Sequence, residues 1–354
     1  MNKEENIGAF IKTIQLAEGA DFTHDEVAIF EEYKRFAANK SSLAIKILSI
    51  VGGFIAALAF LGFLFITELF ESEIGLTIFG AGFIIAAVLL NKVYDKLIID
   101  TLSISAYIIG FFLLAFGLLD LDVDVNLVTI IILCIALVSL VITQNYILSF
   151  VSLLIISGSF LTLIFYNEWH DLVHLYTLSI MLLLTYLMLN ESAIITFSKK
   201  LSKLYDPIRI SSILSCIIGL GIMGKKDLLP ISPDYILVSS VVLFFIVLYL
   251  VSKVLEVVGI EDLTKKITIY SLSVLVLAST IFAPSILGAV LIILLSFLVN
   301  YKTGLAMGII ALIYFISQYY YDLNFTLLTK SIILFSSGIL FIVFYLFVNR
   351  KVVE

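Results

Sequence analysis

From Ile47 to Val348 the chain reads as about twelve apolar runs parted by short polar turns, each near the ~20 residues that carry a helix across ~30 Å of hydrocarbon. The runs are approximately 47–70, 74–90, 97–119, 127–143, 147–166, 172–189, 207–224, 235–251, 267–283, 285–299, 304–320 and 326–348. Backbone in hydrocarbon must satisfy its N–H and C=O groups internally, so segments of this kind fold as helices. The expected fold is all-α: a polytopic integral membrane protein with about 12 transmembrane helices. Composition agrees, with 62% hydrophobic residues, 14% charged and a mean hydropathy of +1.17. A soluble domain is nearer half apolar and a quarter charged. Several runs are short, which predicts tilt or local thinning of the bilayer.

Charge sets the orientation. With the N-terminus in the cytoplasm and the runs alternating, every Lys and Arg except Lys225, Lys226 and Lys330 falls on the cytoplasmic side. The outer turns are acidic: Glu68, Glu71 and Glu73, then Asp120, Asp122 and Asp124, then Glu168 and Asp171. That split follows the positive-inside rule and predicts both termini inside. The organisation expected is a cytoplasmic polar head of two short helices over 1–46, a transmembrane helical domain over 47–349 and a tail over 350–354. In the head, Thr23-His24-Asp25-Glu26 is a capping box, and Val27, Phe30 and Tyr33 recur at helical spacing as a docking stripe. The opening MNKEENIGAF lacks the apolar core of a signal peptide, so none is expected. Segments Asn145–Asn190 and Asn300–Asn349 share one order of features: span, aromatic end, acidic turn, span, Asn. This suggests two six-span halves in a 6+6 parallel repeat.

Motifs with chemical meaning are few. Gly219-Leu220-Gly221-Ile222-Met223-Gly224-Lys225-Lys226 matches nucleotide-loop spacings, but it ends an apolar run and lacks the Ser or Thr after the Lys. It reads as close helix packing, as do Gly304 and Gly308 and the glycines Gly75, Gly80 and Gly82. His170, Asp171 and His174 have metal-ligand spacing without an obvious third ligand, and no metal site is expected. The bland reading is an interfacial helix start with amphipathic Trp169 and histidines at headgroup depth. Cys134 and Cys216 both lie in apolar runs and behave as small hydrophobes. No cofactor and no nucleic-acid partner are expected.

Membrane-embedded charge supplies the site candidates. Asp100 lies about one turn inside its span and has Lys96 at i−4 as a partner. Lys330 breaks the charge rule near the start of the final span, with Asp322, Tyr320 and Tyr321 just before it. A lysine there can snorkel to the surface. Otherwise it completes a polar site with Asp322 and the tyrosines.

The run Tyr319–Ser331, YYYDLNFTLLTKS, followed by an apolar span holding Ser337-Gly338, resembles the C-terminal signature of a bacterial membrane family, domain of unknown function 4401. Ala283-Pro284-Ser285-Ile286-Leu287-Gly288-Ala289 is similar to its pattern as well. The polar head resembles the two-helix head of a related family, number 2157. The resemblance implies a multi-pass protein of the bacterial inner membrane and carries over no catalytic residue. The leading functional expectation is secondary transport of a small molecule or ion. The alternative is a structural subunit of a cell-envelope complex, binding another membrane protein through the 1–46 head. A membrane enzyme is not expected, because the outer turns are short and carry no arginine to hold a phosphate.

Overall fold

The computed structural model describes residues 29, 43–66, 72–93, 97–143, 145–225 and 232–322, with scattered positions from 328 to 342. Most of the 1–46 head, Lys330 and the tail lie outside the described residues, and so does most of the last expected span with the second member of the repeat. The chain divides into two units, Met1–Val51 and Gly52–Glu354. What is described of the first is chiefly the start of α1 (Leu43–Ile66), where Ile47 and Leu48 are exposed.

The second unit is helical wherever it is regular. After α1 come α2 (Glu73–Val93), α3 (Leu97–Asp120), α4 (Val125–Ile142), α5 (Tyr146–Tyr166) and α6 (Leu172–Leu189). A short α7 (Glu191–Phe197) follows, then α8 (Lys199–Gly224), α9 (Pro233–Val258), α10 (Leu263–Ser279), α11 (Pro284–Leu298) and α12 (Lys302–Asp322). No strand occurs among the described residues. Eight of these helices are long and apolar enough to cross a membrane, and they present Leu, Ile, Val and Phe outward in quantity. Side chains of that kind on the outside of a packed bundle need lipid as solvent. The protein is a membrane-embedded helical bundle.

The helices follow the apolar runs closely, with two informative departures. The run expected from Pro207 is the later part of a helix that begins at Lys199, because Ser198 caps it by accepting from Leu201 N at 3.3 Å. Pro207 therefore stands inside α8, where its missing N–H frees one carbonyl of the preceding turn. The second departure is α7, which has no apolar run of its own.

Tight turns close the hairpins. Asp124 accepts from the N–H groups of Asn126 and Leu127 at the start of α4, and Asp262 caps α10 through Thr264 N. Asp122, Glu168 and Asn300 take left-handed backbone where α3 meets α4, α5 meets α6 and α11 meets α12. Between α9 and α10, Gly259 adopts φ 72° and its amide and the next one close the helix on Glu256 and Leu255 carbonyls.

Two packing centres result. In one, α2 and α3 lie backbone to backbone: a Cβ on Gly110 would stand 2.8 Å from Ile84 N and 2.9 Å from Gly80 O. Ala57 and Leu61 of α1 close over this pair through Leu76, Ile109 and Leu113. In the other, α11 is encased by α6, α8, α9 and α12, with Leu287, Ala289, Leu291, Ile292 and Leu295 fully buried. At 15 residues α11 is about 22 Å long, less than the hydrocarbon thickness, so it is a core element held by its neighbours. Gly304 and Gly308 bring α12 against it, facing Ser296 and Ile293. The sequence reading of this G-x-x-x-G pair as a packing face agrees with that contact.

Candidate functional site

Side-chain contacts gather the turns at two ends of the bundle. At the acid end, Asn126 and Asn167 exchange amide hydrogen bonds of 3.1 and 2.7 Å, joining the start of α4 to the end of α5. Asp171 accepts from Ser232 N at 3.0 Å and from Ser232 Oγ at 3.2 Å, tying the start of α6 to the start of α9. At the basic end are Lys199, Lys200 and Lys203 of α8 and Lys302 of α12.

Asp322 lies at the acid end and lines a cavity of about 90 Å³ between α8, α9, α11 and α12. Gly224, Ser285, Phe315, Gln318 and Tyr319 also line it. Ser285 Oγ donates to Leu220 O at 2.7 Å, and Gly224 leaves room for that serine. Asp322 Oδ2 and both amide atoms of Gln318 are buried and have no hydrogen-bond partner among the described residues. Native proteins pair nearly all such atoms, so three together in one small cavity call for something in it. The space has room for a few waters or a small ion.

Of the other expected site residues, Tyr320 and Tyr321 meet edge to face at 5.7 Å on α12, and Tyr321 is 75% exposed. The cavity takes Tyr319 in their place. Asp100 belongs to the first turn of α3, and its side chain lies outside what the structure describes. Lys330 lies outside the described residues.

His170, Asp171 and His174 are not assembled as ligands. His174, 3% exposed, turns to α9, where its Nδ1 meets Ser239 Oγ at 2.7 Å and its ring stacks with Tyr235. Asp171 is taken by Ser232. No group of three His, Cys, Asp or Glu side chains that could hold a metal occurs among the described residues. Asp171 acts as a tether, and Asp171→Ala is expected to cost about 1–2 kcal/mol, as for a lost charge-assisted hydrogen-bond pair in part-exposed surroundings. A thermal melt in detergent reads this directly; an unchanged midpoint would show that the tether carries no stability.

The cluster that sequence reasoning missed surrounds Arg209 at the basic end. This arginine is 8% exposed. Its guanidinium donates to Asp206 at 2.5 Å and to Glu191 at 3.5 Å. The guanidinium carbon stands 3.8 Å from the Tyr301 ring centroid and 5.0 Å from that of Tyr205. Nε is buried without a partner among the described residues. Burial pushes the Tyr301 phenol above its ordinary pKa, and the nearby guanidinium opposes that shift. One side chain thus joins the head of α7, the start of α8 and the α11–α12 turn. The local signal was the Asp206–Arg209 spacing on one helix face. Tyr205, four residues before Arg209, shares that face, whereas the stack on Tyr301, across distant sequence, had no signal.

A family model described as domain of unknown function (DUF4401) matches residues 42–351. The chain belongs to this family. The match takes in every described helix, well beyond the 283–350 stretch that carried the resemblance, and both clusters lie within it. It begins at α1, so the expected polar head falls almost wholly before it. No curated protein and no solved structure matches the chain. The family therefore fixes kinship and leaves the activity to be argued from the site.

Proposed function

We propose that this DUF4401 protein is a secondary carrier of the bacterial cytoplasmic membrane. It moves a small ion, as substrate or coupling ion, along the seam of α8, α11 and α12. The observation that carries this reading is the acid-end cavity, where a carboxylate oxygen and a whole carboxamide are buried without partners among the described residues. Each such group costs about 1–3 kcal/mol when unsatisfied, a penalty with no purpose in a scaffold and an evident one in a binding site. Among the described residues the one charged side chain that lines the cavity is the Asp322 carboxylate, and on that ground the ion in this reading is a cation. Between the cavity and the Arg209 cluster the seam is filled by Leu220, Leu287 and Ile292, which keeps the two ends apart. The arrangement fits one closed state of an alternating-access cycle.

The topology in this reading has twelve spans and both termini in the cytoplasm. The Arg209 end faces inward beside the lysines and the Asp322 cavity faces outward. Purified protein in liposomes carrying trapped pH- and sodium-sensitive dyes should dissipate an imposed proton or sodium gradient. Asp322→Asn and Gln318→Leu should each slow this at least tenfold. Flux equal to that of empty liposomes, from protein that still melts cooperatively, would overturn the proposal. It would turn attention to the subunit of an envelope complex.

A further inference from the structure

A second cavity, of about 520 Å³, lies apart from the seam, between α5 and α6 with its floor on α8. These two helices pack along α8 much more than on each other, which leaves a lateral opening between them. Its walls are Leu, Ile and Phe with Trp169 and Ser179, and among the described residues no charged side chain lines it. Its floor is different: Ser211, Ser212 and Ser215 of α8 with Ser157 of α5 and Tyr176 of α6. Ser215 stands midway along the apolar run 207–224 of α8, about 12 Å from its polar start, and Ser157 stands midway along α5. The hydroxyls therefore meet the groove at mid-bilayer depth, where acyl chains offer no hydrogen-bond acceptor.

The hydrogen bonds on that floor have a direction. Ser157 Oγ donates to Ser215 Oγ at 2.7 Å, so the hydrogen between Ser157 and Tyr176 comes from the tyrosine. The relay ends at Ser215, whose own hydrogen is available to an acceptor. We propose that the groove is a binding site for a quinone-type lipid: a neutral ring with carbonyl oxygens, seated on Ser215 and Ser212, its apolar tail leaving between α5 and α6. Three features select this occupant. The absence of charge disfavours an ionised headgroup. The free donor wants a carbonyl. The depth suits an uncharged head, whereas ester carbonyls of ordinary phospholipids stay near the interface. Phe160 and Tyr176 add aromatic faces for the ring.

The chain carries its own reporter, because its single tryptophan, Trp169, lines the groove. Decylubiquinone titrated into the full-length protein in nanodiscs should quench Trp169 fluorescence saturably. Free quinone dissolved in lipid gives only a linear background. Ser215→Ala should weaken the saturable phase about tenfold, the effect of one lost hydrogen bond to a ligand. Ser212→Phe should abolish it by filling the floor, and an unchanged melting temperature certifies both variants. Excess dioctanoylglycerol should leave the quenching intact. Linear quenching identical in wild type and both variants would overturn the site, and displacement by the diacylglycerol would overturn its assignment to quinones.

Discussion

Gly110→Leu is expected to abolish the native packing of α2 on α3, at a cost of about 3 kcal/mol or more, enough to deplete folded protein in the membrane. The reason is the nature of the neighbours. The added Cβ would meet Ile84 N and Gly80 O, which are backbone atoms and cannot rotate away. Gly80 has the reciprocal relation to Leu114 N and Gly110 O, and Gly117 lies against Thr77 N. Helices in lipid associate by close van der Waals contact, with no gain from burying apolar surface that lipid already solvates. Spreading this pair forfeits the contact that holds it. Gly82, on the same helix α2, has nothing within 4 Å of its would-be Cβ, so Gly82→Leu is the matched control and should be nearly neutral. Fluorescence-detected gel filtration after graded heating separates the two. Equal midpoints for both variants would mean that the close pair is not a stability determinant.

These glycines show what could be read before the structure. Their presence marked thin helix faces, and the expected packing role holds for Gly80, Gly219, Gly224, Gly304 and Gly308. Their sequence does not separate Gly80 from Gly82, because which face meets a neighbour is a tertiary fact. Hydropathy located the apolar part of each helix, since lipid acts on each segment separately, but not the polar extensions such as 199–206 of α8 and 252–258 of α9. It did not reveal that α11 is encased, because an apolar helix bordered by protein and one bordered by lipid have the same composition.

The candidate sites divide the same way. Asp322 stood out as a neighbour of Lys330, the charge that breaks the inner bias; acids at the outer ends of apolar runs are common in this chain. Two companions had no signal: Gln318, one turn earlier on α12, shares the Asp322 cavity, and Ser285 comes from another helix. Arg209 was legible only as one more inner basic residue. Its burial needs Tyr301 and Glu191, which reach it through the α11–α12 turn and α7. The serine-floored groove had no sequence signal, since Ser157, Tyr176 and Ser215 converge from three helices.

Arg209→Met should lower stability by about 3 kcal/mol and loosen the basic end of the seam. The main loss is the stack on Tyr301 and Tyr205, since a desolvated cation over an aromatic ring contributes about 2 kcal/mol. The ion pairs add less. Glu191 and Asp206 have side chains 37% and 59% exposed, so water stabilises both carboxylates when the arginine is gone. Arg209→Lys separates the two contributions. It keeps the charge, but a compact ammonium cannot lie flat on Tyr301 while donating to both acids. Its midpoint should fall nearer to that of the methionine variant than to wild type. Loosening has its own readout in Cys216, which lies two turns along α8 and is fully buried. In a Cys134→Ser background a membrane-permeant maleimide should leave the wild-type thiol unmodified and label it in Arg209→Met. A lysine variant as stable as wild type would assign the cluster to charge pairing, and a thiol still protected in the methionine variant would show that Arg209 does not close the seam.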